Sequence, residues 1–333
     1  MANQKKLLIR LSSAGDVLLT SPLIKLIKQR EPQSEIHFVV KDSFEDLIKY
    51  NPLVTAIYTI SSGANIHELE RLRKHLVKEN FDETIDLQNN FRSIYLRRGT
   101  SAKIKTIKKD ILKRLLLVKF KINRYKQIRP VALKYAQTYD RTIKDVPPPE
   151  LFFNDDISKR VLEIVKKIPG EKPFVALCPG SKHFTKQWPA IYWVELAKAI
   201  MGETSPFLIG GPEDSPICTE IASKLNILNF CGRLSILESS ALLGYAKVVV
   251  TGDSYLMHAA NALGKKIVAF FGSTVKEFGF APYLVESRIL EVDGLTCRPC
   301  SHIGLDKCPK GHFKCMTEIT PAIASKVVRE LLY

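Results

Sequence analysis

The stretch from Lys247 to Gly272, KVVVTGDSYLMHAANALGKKIVAFFG, most constrains what this chain can fold into. Val248 to Val250 is an apolar run too short for a helix and reads as a buried strand, with Thr251-Gly252-Asp253 as the turn leaving it. Ser254 to Leu263 carries a helical period stopped by Gly264, and a second buried strand, Ile267 to Phe271, follows. Such a unit aims the helix's free N–H groups and positive dipole end at the carboxyl edge of a parallel sheet, where a phosphate can sit. His258 lies one turn after Ser254 and faces the same mouth. Ser254 would serve equally well as a plain N-cap, so this stretch alone leaves a ligand site and an ordinary α/β unit both open.

The rest of the chain repeats the alternation. Lys6 to Leu11, Ile36 to Val40, Ala56 to Ile60 and Glu83 to Leu87 read as strands, separated by helices over Val17 to Gln29, Phe44 to Tyr50 and Ile66 to Lys78. Pro147-Pro148-Pro149 interrupts the pattern and marks a linker, because consecutive prolines continue neither a helix nor a central strand. A second series then begins, with strands at Phe174 to Leu177, Pro206 to Ile209 and Ile227 to Phe230 and helices over Ile157 to Ile168, Ile191 to Met201, Ile217 to Leu225 and Ile236 to Tyr245. The expected fold class is α/β, with parallel sheets in two domains, residues 1–150 and 151–320, followed by a helix in 321–333.

Length and composition fit two soluble domains: 333 residues, 45% hydrophobic and 25% charged. No apolar run approaches the ~18 residues of a membrane helix, and Met1 to Leu11 is a charged lead into a strand rather than a secretory signal. The expected location is the cytoplasm. An odd number of cysteines, seven, then argues against a disulfide framework. The net charge of +16 is concentrated: residues 87–139 hold fifteen Lys or Arg and a single acid, Asp110. Within them Ile104, Ile107, Ile111, Leu115, Val118 and Ile122 recur at helical steps, a stripe flanked by lysines and arginines. A basic amphipathic helix suits an anionic membrane face, although a solvated charged face is the commoner use of such a pattern.

Four strand-end loops carry chemistry. Ser12-Ser13-Ala14-Gly15-Asp16 has one glycine where a dinucleotide fingerprint needs three, which disfavours a nicotinamide or flavin enzyme. Asp16 opens a helix and can either cap it or face a cleft as a base. Asp86, Gln88, Asn89 and Arg92 leave another strand. The loop from Pro179 to Pro189 offers Ser181, Thr185 and Lys186 for a phosphate, and Gly210-Gly211-Pro212-Glu213-Asp214 offers acids for ribose hydroxyls.

These motifs, SSAGDVLLTSP, DLQNNFRS, PGSKHFTKQWP, GGPED and VTGDSYLMHAANALGKKIVAFFGST, together with the cysteine-rich tail, resemble the heptosyltransferases of glycosyltransferase family 9 over nearly the full length. The resemblance implies a GT-B fold of two Rossmann-like domains facing across a cleft, with the helix in 321–333 crossing back to the first, and an inverting transfer that requires no cofactor. It further implies an ADP-heptose donor and, as acceptor, the Kdo or heptose of the lipopolysaccharide inner core on lipid A, met by a peripheral enzyme on the inner face of the inner membrane. Asp16 then matches the general base. Ser181, Thr185 and Lys186 match the diphosphate site, Glu213 or Asp214 the ribose acid, and Thr251, Gly252, Asp253, Ser254 and His258 the donor-sugar and phosphate site. Arg92, Arg97, Arg98 and Lys103 are the candidate acceptor contacts, and Tyr255 stands where relatives carry glycine.

Cys297, Cys300, Cys308 and Cys315 could close a structural, non-catalytic zinc site, with His302 or His312 as alternates; free thiols or a redox-labile pair fit as well. Two other functions remain compatible with the residues. The same fold could use another nucleotide sugar or glycan acceptor, and a pI near 9.4 suits a nucleic-acid-binding protein. The latter leaves the second-domain loops without a task, and few aromatic residues lie among the basic ones, so no nucleic acid is expected.

Overall fold

The computed structural model describes residues 4–168 and 171–333. The first three residues of the charged lead lie outside these. The chain forms two compact units, one made of the residues up to Lys109 with Pro130–Phe152, the other of Asp110–Arg129 with Phe153–Tyr333.

In the first unit β1 (Lys5–Ile9), β2 (Glu35–Lys41), β3 (Ala56–Ile60), β4 (Glu83–Asp86) and β5 (Lys103–Thr106) make one parallel sheet in the order β3-β2-β1-β4-β5. Helices α1 (Ala14–Leu18), α2 (Ser21–Arg30), α3 (Asp46–Lys49), α4 (Ile66–Lys78) and α5 (Phe91–Leu96) connect the strands. Leu7, Leu8 and Ile9 on β1 and Phe38 and Val39 on β2 are fully buried, as strands covered on both faces require. Each such side chain contributes roughly 1.5–3 kcal/mol.

The single helix expected from Val17 to Gln29 is broken between Leu18 and Ser21. Pro22 supplies no N–H to the Leu18 carbonyl and its ring crowds it. Instead the Ser21 hydroxyl donates to Leu18 O at 2.8 Å and the Thr20 hydroxyl to Val17 O at 2.7 Å.

The basic stripe also divides. Lys103-Ile104-Lys105-Thr106 alternates with a period of two and pairs with β4 from Glu83↔Lys103 to Asp86↔Thr106, so these residues are strand. Only α6 (Ile111–Phe120) is helical, and it belongs to the second unit, whereas α7 (Val131–Tyr139) returns to the first and packs on α2. The expected boundary near residue 150 therefore omits a border: residues 110–129 are inserted into the sequence of the first unit but packed with the second. Lys121 Nζ donates to Cys297 O and Pro299 O, and Tyr125 meets Phe278 edge-on, which fastens the insert there.

The second unit opens with α8 (Asp155–Val165), then alternates β6 (Phe174–Cys178), α9 (Ala190–Ile200), β7 (Ser205–Leu208), α10 (Ser215–Ser223), β8 (Leu228–Asn229), α11 (Ile236–Leu243), β9 (Val248–Gly252), α12 (Tyr255–Ala262), β10 (Lys266–Phe270) and β11 (Ser287–Leu290). Its parallel sheet runs β11-β10-β9-β6-β7-β8. Taken from β8, that is the 3-2-1-4-5-6 order of a Rossmann sheet, and the first sheet shares its first five places. After α13 (Lys314–Thr317), the last helix α14 (Pro321–Leu332) packs on α9, β9 and β10. Ala324, Val328, Leu331 and Leu332 of this helix join the core of the second unit beside Trp193. One disulfide, Cys218–Cys231, ties α10 to the residue after Phe230, although the cysteine count argues against a disulfide framework.

Candidate functional site

In a sheet of this order the strand sequence reverses direction between β1 and β4, and loops leaving those two strands diverge to form a crevice. Asp16 stands at that point in the first unit. It is the third residue of α1, and four donors engage its carboxylate: Arg10 Nη2 at 2.8 Å and Tyr135 OH at 2.9 Å on Oδ1, Ser13 Oγ at 2.8 Å and Ser13 N at 3.2 Å on Oδ2. Capping is realised in Oδ2, which holds the helix start, while Oδ1 is taken up by Arg10 after β1 and Tyr135 on α7. Burial pushes the carboxyl upward, but the Arg10 guanidinium and the hydroxyl donors outweigh it and hold Asp16 below the ordinary 3.8. It is therefore ionised at neutral pH. Gln88, leaving β4, steadies the loop by accepting from Leu11 N and Ser12 N through its Oε1.

Arg10 and Tyr135 escape the sequence reading. Arg10 directly follows β1, and a cation at a strand's carboxyl end is a signal that could have found it. Tyr135 is 119 residues away on α7 and carries no local sign.

The four candidate acceptor contacts part company. Arg97 is bound to the fully buried Asp86, Nη1 to Oδ2 at 2.8 Å, and Arg92 donates to Ser62 O at 2.9 Å. Arg98 lies over the Tyr95 ring at 5.9 Å. Lys103 is displaced altogether: as the first residue of β5 it lies at the amino edge of the sheet, where its Nζ meets Glu83 Oε1 at 3.0 Å. There it lines a cavity of about 520 Å³ with Lys6, Lys105, Glu31 and Tyr139. Asp16 is at the opposite, carboxyl edge, so Lys103 is not beside it; parallel register with Glu83 decides its place.

In the second unit the corresponding point lies between β6 and β9, and the loops leaving these strands come into contact. Lys186 Nζ meets Asp253 Oδ2 at 2.7 Å, with both side chains nearly buried. Thr274, after β10, donates to the same Oδ2 at 2.7 Å, and Arg298 holds that loop by donating to Phe271 O, Gly272 O and Thr274 O. Burial pushes the Asp253 carboxyl upward, yet the Lys186 ammonium and the Thr274 hydroxyl bring it below the ordinary 3.8. A Cβ on Gly252 would lie 3.0 Å from Lys186 O, and one on Gly272 3.0 Å from Thr185 O. The β6 loop is thus laid directly over the ends of β9 and β10.

Thr185 is locked from both sides, its hydroxyl donating to Leu305 O and accepting from Leu305 N. Ser181 is buried, and its carbonyl accepts from Gln187. Ser254 takes the N-cap position of α12 without a side-chain cap bond; its hydroxyl lies 3.2 Å from Thr251 Oγ1. His258, one turn on, is buried beside Phe280. The Tyr255 hydroxyl is paired with Ser240 of α11 at 2.7 Å.

The two acids after β7 have different surroundings. Asp214 Oδ2 accepts from Gly211 N at 2.9 Å, and its carboxyl occupies the space where a Cβ on Gly180 or Gly210 would lie. Burial raises its pKa. Asp214 is folded inward, and Glu213 is the exposed acid of the pair.

The four cysteines of the tail have different surroundings. Among the described residues no group of three or more His, Cys, Asp or Glu could hold a metal ion. Cys315 is drawn into the core of the second unit, where burial pushes its thiol up to about 12, while Cys297 Sγ lies 3.8 Å from His312 Nε2.

Comparison with known proteins agrees with this arrangement. Residues 69–308 match the model of glycosyltransferase family 9 (heptosyltransferase). Lipopolysaccharide heptosyltransferase 2 of Salmonella typhimurium is 27% identical over 304 residues, covering 82% of this chain and 84% of that protein. A family 9 glycosyl transferase from Veillonella parvula superposes with a TM-score of 0.83 at 20% identity, covering 100% of this chain and 98% of that one. The ADP-heptose LPS heptosyltransferase II of E. coli superposes with a TM-score of 0.78 at 22% identity, covering 99% and 98%. The two Rossmann-like units are those of a GT-B fold, and the matches decide for a transferase over a nucleic-acid-binding protein. With the match running from α4 of the first unit through the whole second sheet, this chain is a glycosyltransferase and belongs to glycosyltransferase family 9, the heptosyltransferases.

Proposed function

We propose that the enzyme moves a heptose from ADP-heptose to the Kdo or heptose of a lipid A-linked inner core, with inversion at the anomeric carbon. One arrangement supports this most: each sheet carries its functional groups where the strand order reverses, an ionised acid in the first unit and a lysine–aspartate pair beside a helix N-terminus in the second. The names of the Salmonella and E. coli relatives supply the substrate class. The acceptor hydroxyl attacks the anomeric carbon and gives its proton to Asp16, while the bond to ADP breaks. Lys186 and the first N–H groups of α12 meet the charge that develops on the departing diphosphate. Glu213 binds the ribose hydroxyls, Ser181 and Thr185 shape the diphosphate loop, and Asp253, Ser254 and His258 position the donor. Arg92 and Arg98 contact the anionic acceptor.

Calorimetric titration with ADP, UDP, GDP and NAD tests the donor half: ADP should bind tightest, and preference for NAD or indifference among the four would remove it. Tyr135→Phe tests the acid. Deleting a hydroxyl that donates to the Asp16 carboxylate raises its pKa, so the acidic limb of the kcat/KM profile should move to higher pH with the plateau nearly unchanged. An unmoved limb would show that the titrating group is another.

A further inference from the structure

Helix α6 is turned inside out. At about 100° per residue, Ile111, Leu112, Leu115 and Lys119 share one side, and Leu117 points the other way between Lys113 and Arg114. Ordinarily the apolar side would be covered. Here Leu117 is 7% exposed, whereas Ile111 is 64%, Leu112 66% and Phe120 62% exposed. Lys113 is turned back toward the protein, within 4.0 Å of Asp110 and over the Tyr125 ring. The exposed apolar residues continue past the helix in Ile122 and Ile128.

A contiguous apolar face on a surface helix marks something that covers it. The surrounding charge indicates what kind. Residues 110–129 hold seven Lys or Arg against a single acid, Asp110, with Lys119, Arg124 and Lys126 exposed. A second copy of the chain would bring the same positive charge against itself, whereas a bilayer of anionic lipids supplies acyl chains for the isoleucines and leucines and phosphates for the rim. Ten residues give about 15 Å of helix, half of what a hydrocarbon core requires, so α6 lies along the surface rather than through it. No helix among the described residues is long and apolar enough to cross a membrane.

We infer that α6 and the basic segment following it form a surface that docks on anionic lipid, with Ile111, Leu112 and Leu115 entering the headgroup region. The docking is independent of the transfer reaction, and its test uses neither donor nor acceptor glycolipid, so either can fail without the other. The full chain is sedimented with vesicles of phosphatidylcholine alone or mixed with phosphatidylglycerol. Wild type should bind the mixed vesicles only, and high salt should release it. Ile111→Ser with Leu112→Ser should weaken binding at least tenfold while nucleotide affinity stays unchanged, because both side chains are exposed and outside the donor site. Lys119→Glu with Lys126→Glu should weaken it similarly. In Leu112→Trp the indole fluorescence should shift to the blue on mixed vesicles. Equal binding by wild type and the serine variant, an unshifted Leu112→Trp spectrum, or light scattering showing a dimer that the serine variant dissolves would each overturn the proposal.

Discussion

Asp16→Asn should lower the rate of transfer by roughly two to four orders of magnitude, the usual share of a positioned proton acceptor, while ADP binds as before. Asparagine keeps the size of the side chain and can still accept from Arg10 and Tyr135 through one oxygen. What it lacks is the negative charge and the basic lone pair that receive the acceptor's proton. Removing that charge leaves the Arg10 guanidinium, which is itself largely buried, without its neutralising partner. Some loss of thermal stability is therefore expected alongside, and turnover is best compared well below the unfolding midpoint of the variant. Calorimetry with ADP separates the two effects. Full turnover by a folded Asp16→Asn enzyme would end the assignment of Asp16 as base.

Lys186→Met should act on both stability and ligand affinity. It leaves Asp253 buried with only Thr274 as a donor, and breaking a buried pair on one side costs about 3–5 kcal/mol. Donor affinity should fall at least tenfold, since the departing diphosphate loses its cation. Adding Asp253→Asn should recover much of the stability and none of the affinity, which distinguishes the two roles of the lysine. The pH dependence follows from the signs. In the wild type the Asp253 pKa is depressed, so its contribution is complete above the ordinary 3.8 and disappears as pH falls through the lower native value. With the lysine gone, burial dominates and the pKa rises, so the stability gap between variant and wild type should narrow as pH is lowered. Denaturant melts of the three chains across mildly acidic pH measure this; a gap that widened on acidification would contradict the pairing.

Much of this arrangement is legible in the residues, for identifiable reasons. The alternation of short apolar runs with helical periods is a local signal, and it marks the parallel strands and the carboxyl-edge loops. Asp253 and Ser254 lie directly behind β9, and Asp16 and Lys186 follow β1 and β6 by seven and eight residues, so their placement follows from the chain's order. Groups brought in from a distance leave no such sign: Tyr135 from α7, Thr274 from the loop after β10, and Arg298 binding that loop. Lys103 is misplaced on sequence alone because Ile104 and Ile107, three apart, fit a helical step, whereas Ile104 belongs to a strand that ends before Ile107. The outward-facing side of α6 cannot be inferred either, since a stripe is the same on paper whether it turns inward or out.

The insertion of residues 110–129 into the second unit makes the chain pass between units three times, at 109/110, 129/130 and 152/153. A protease nick at the triple proline would therefore not free one unit from the other: the fragment before the cut keeps α6, whose seat belongs to the fragment after it. Nor can complementary halves be made by dividing the gene once, because a polypeptide ending at Phe152 carries α6 and its basic tail away from the surface that fastens them. Releasing either unit whole requires the excised span to be rejoined to its proper partner.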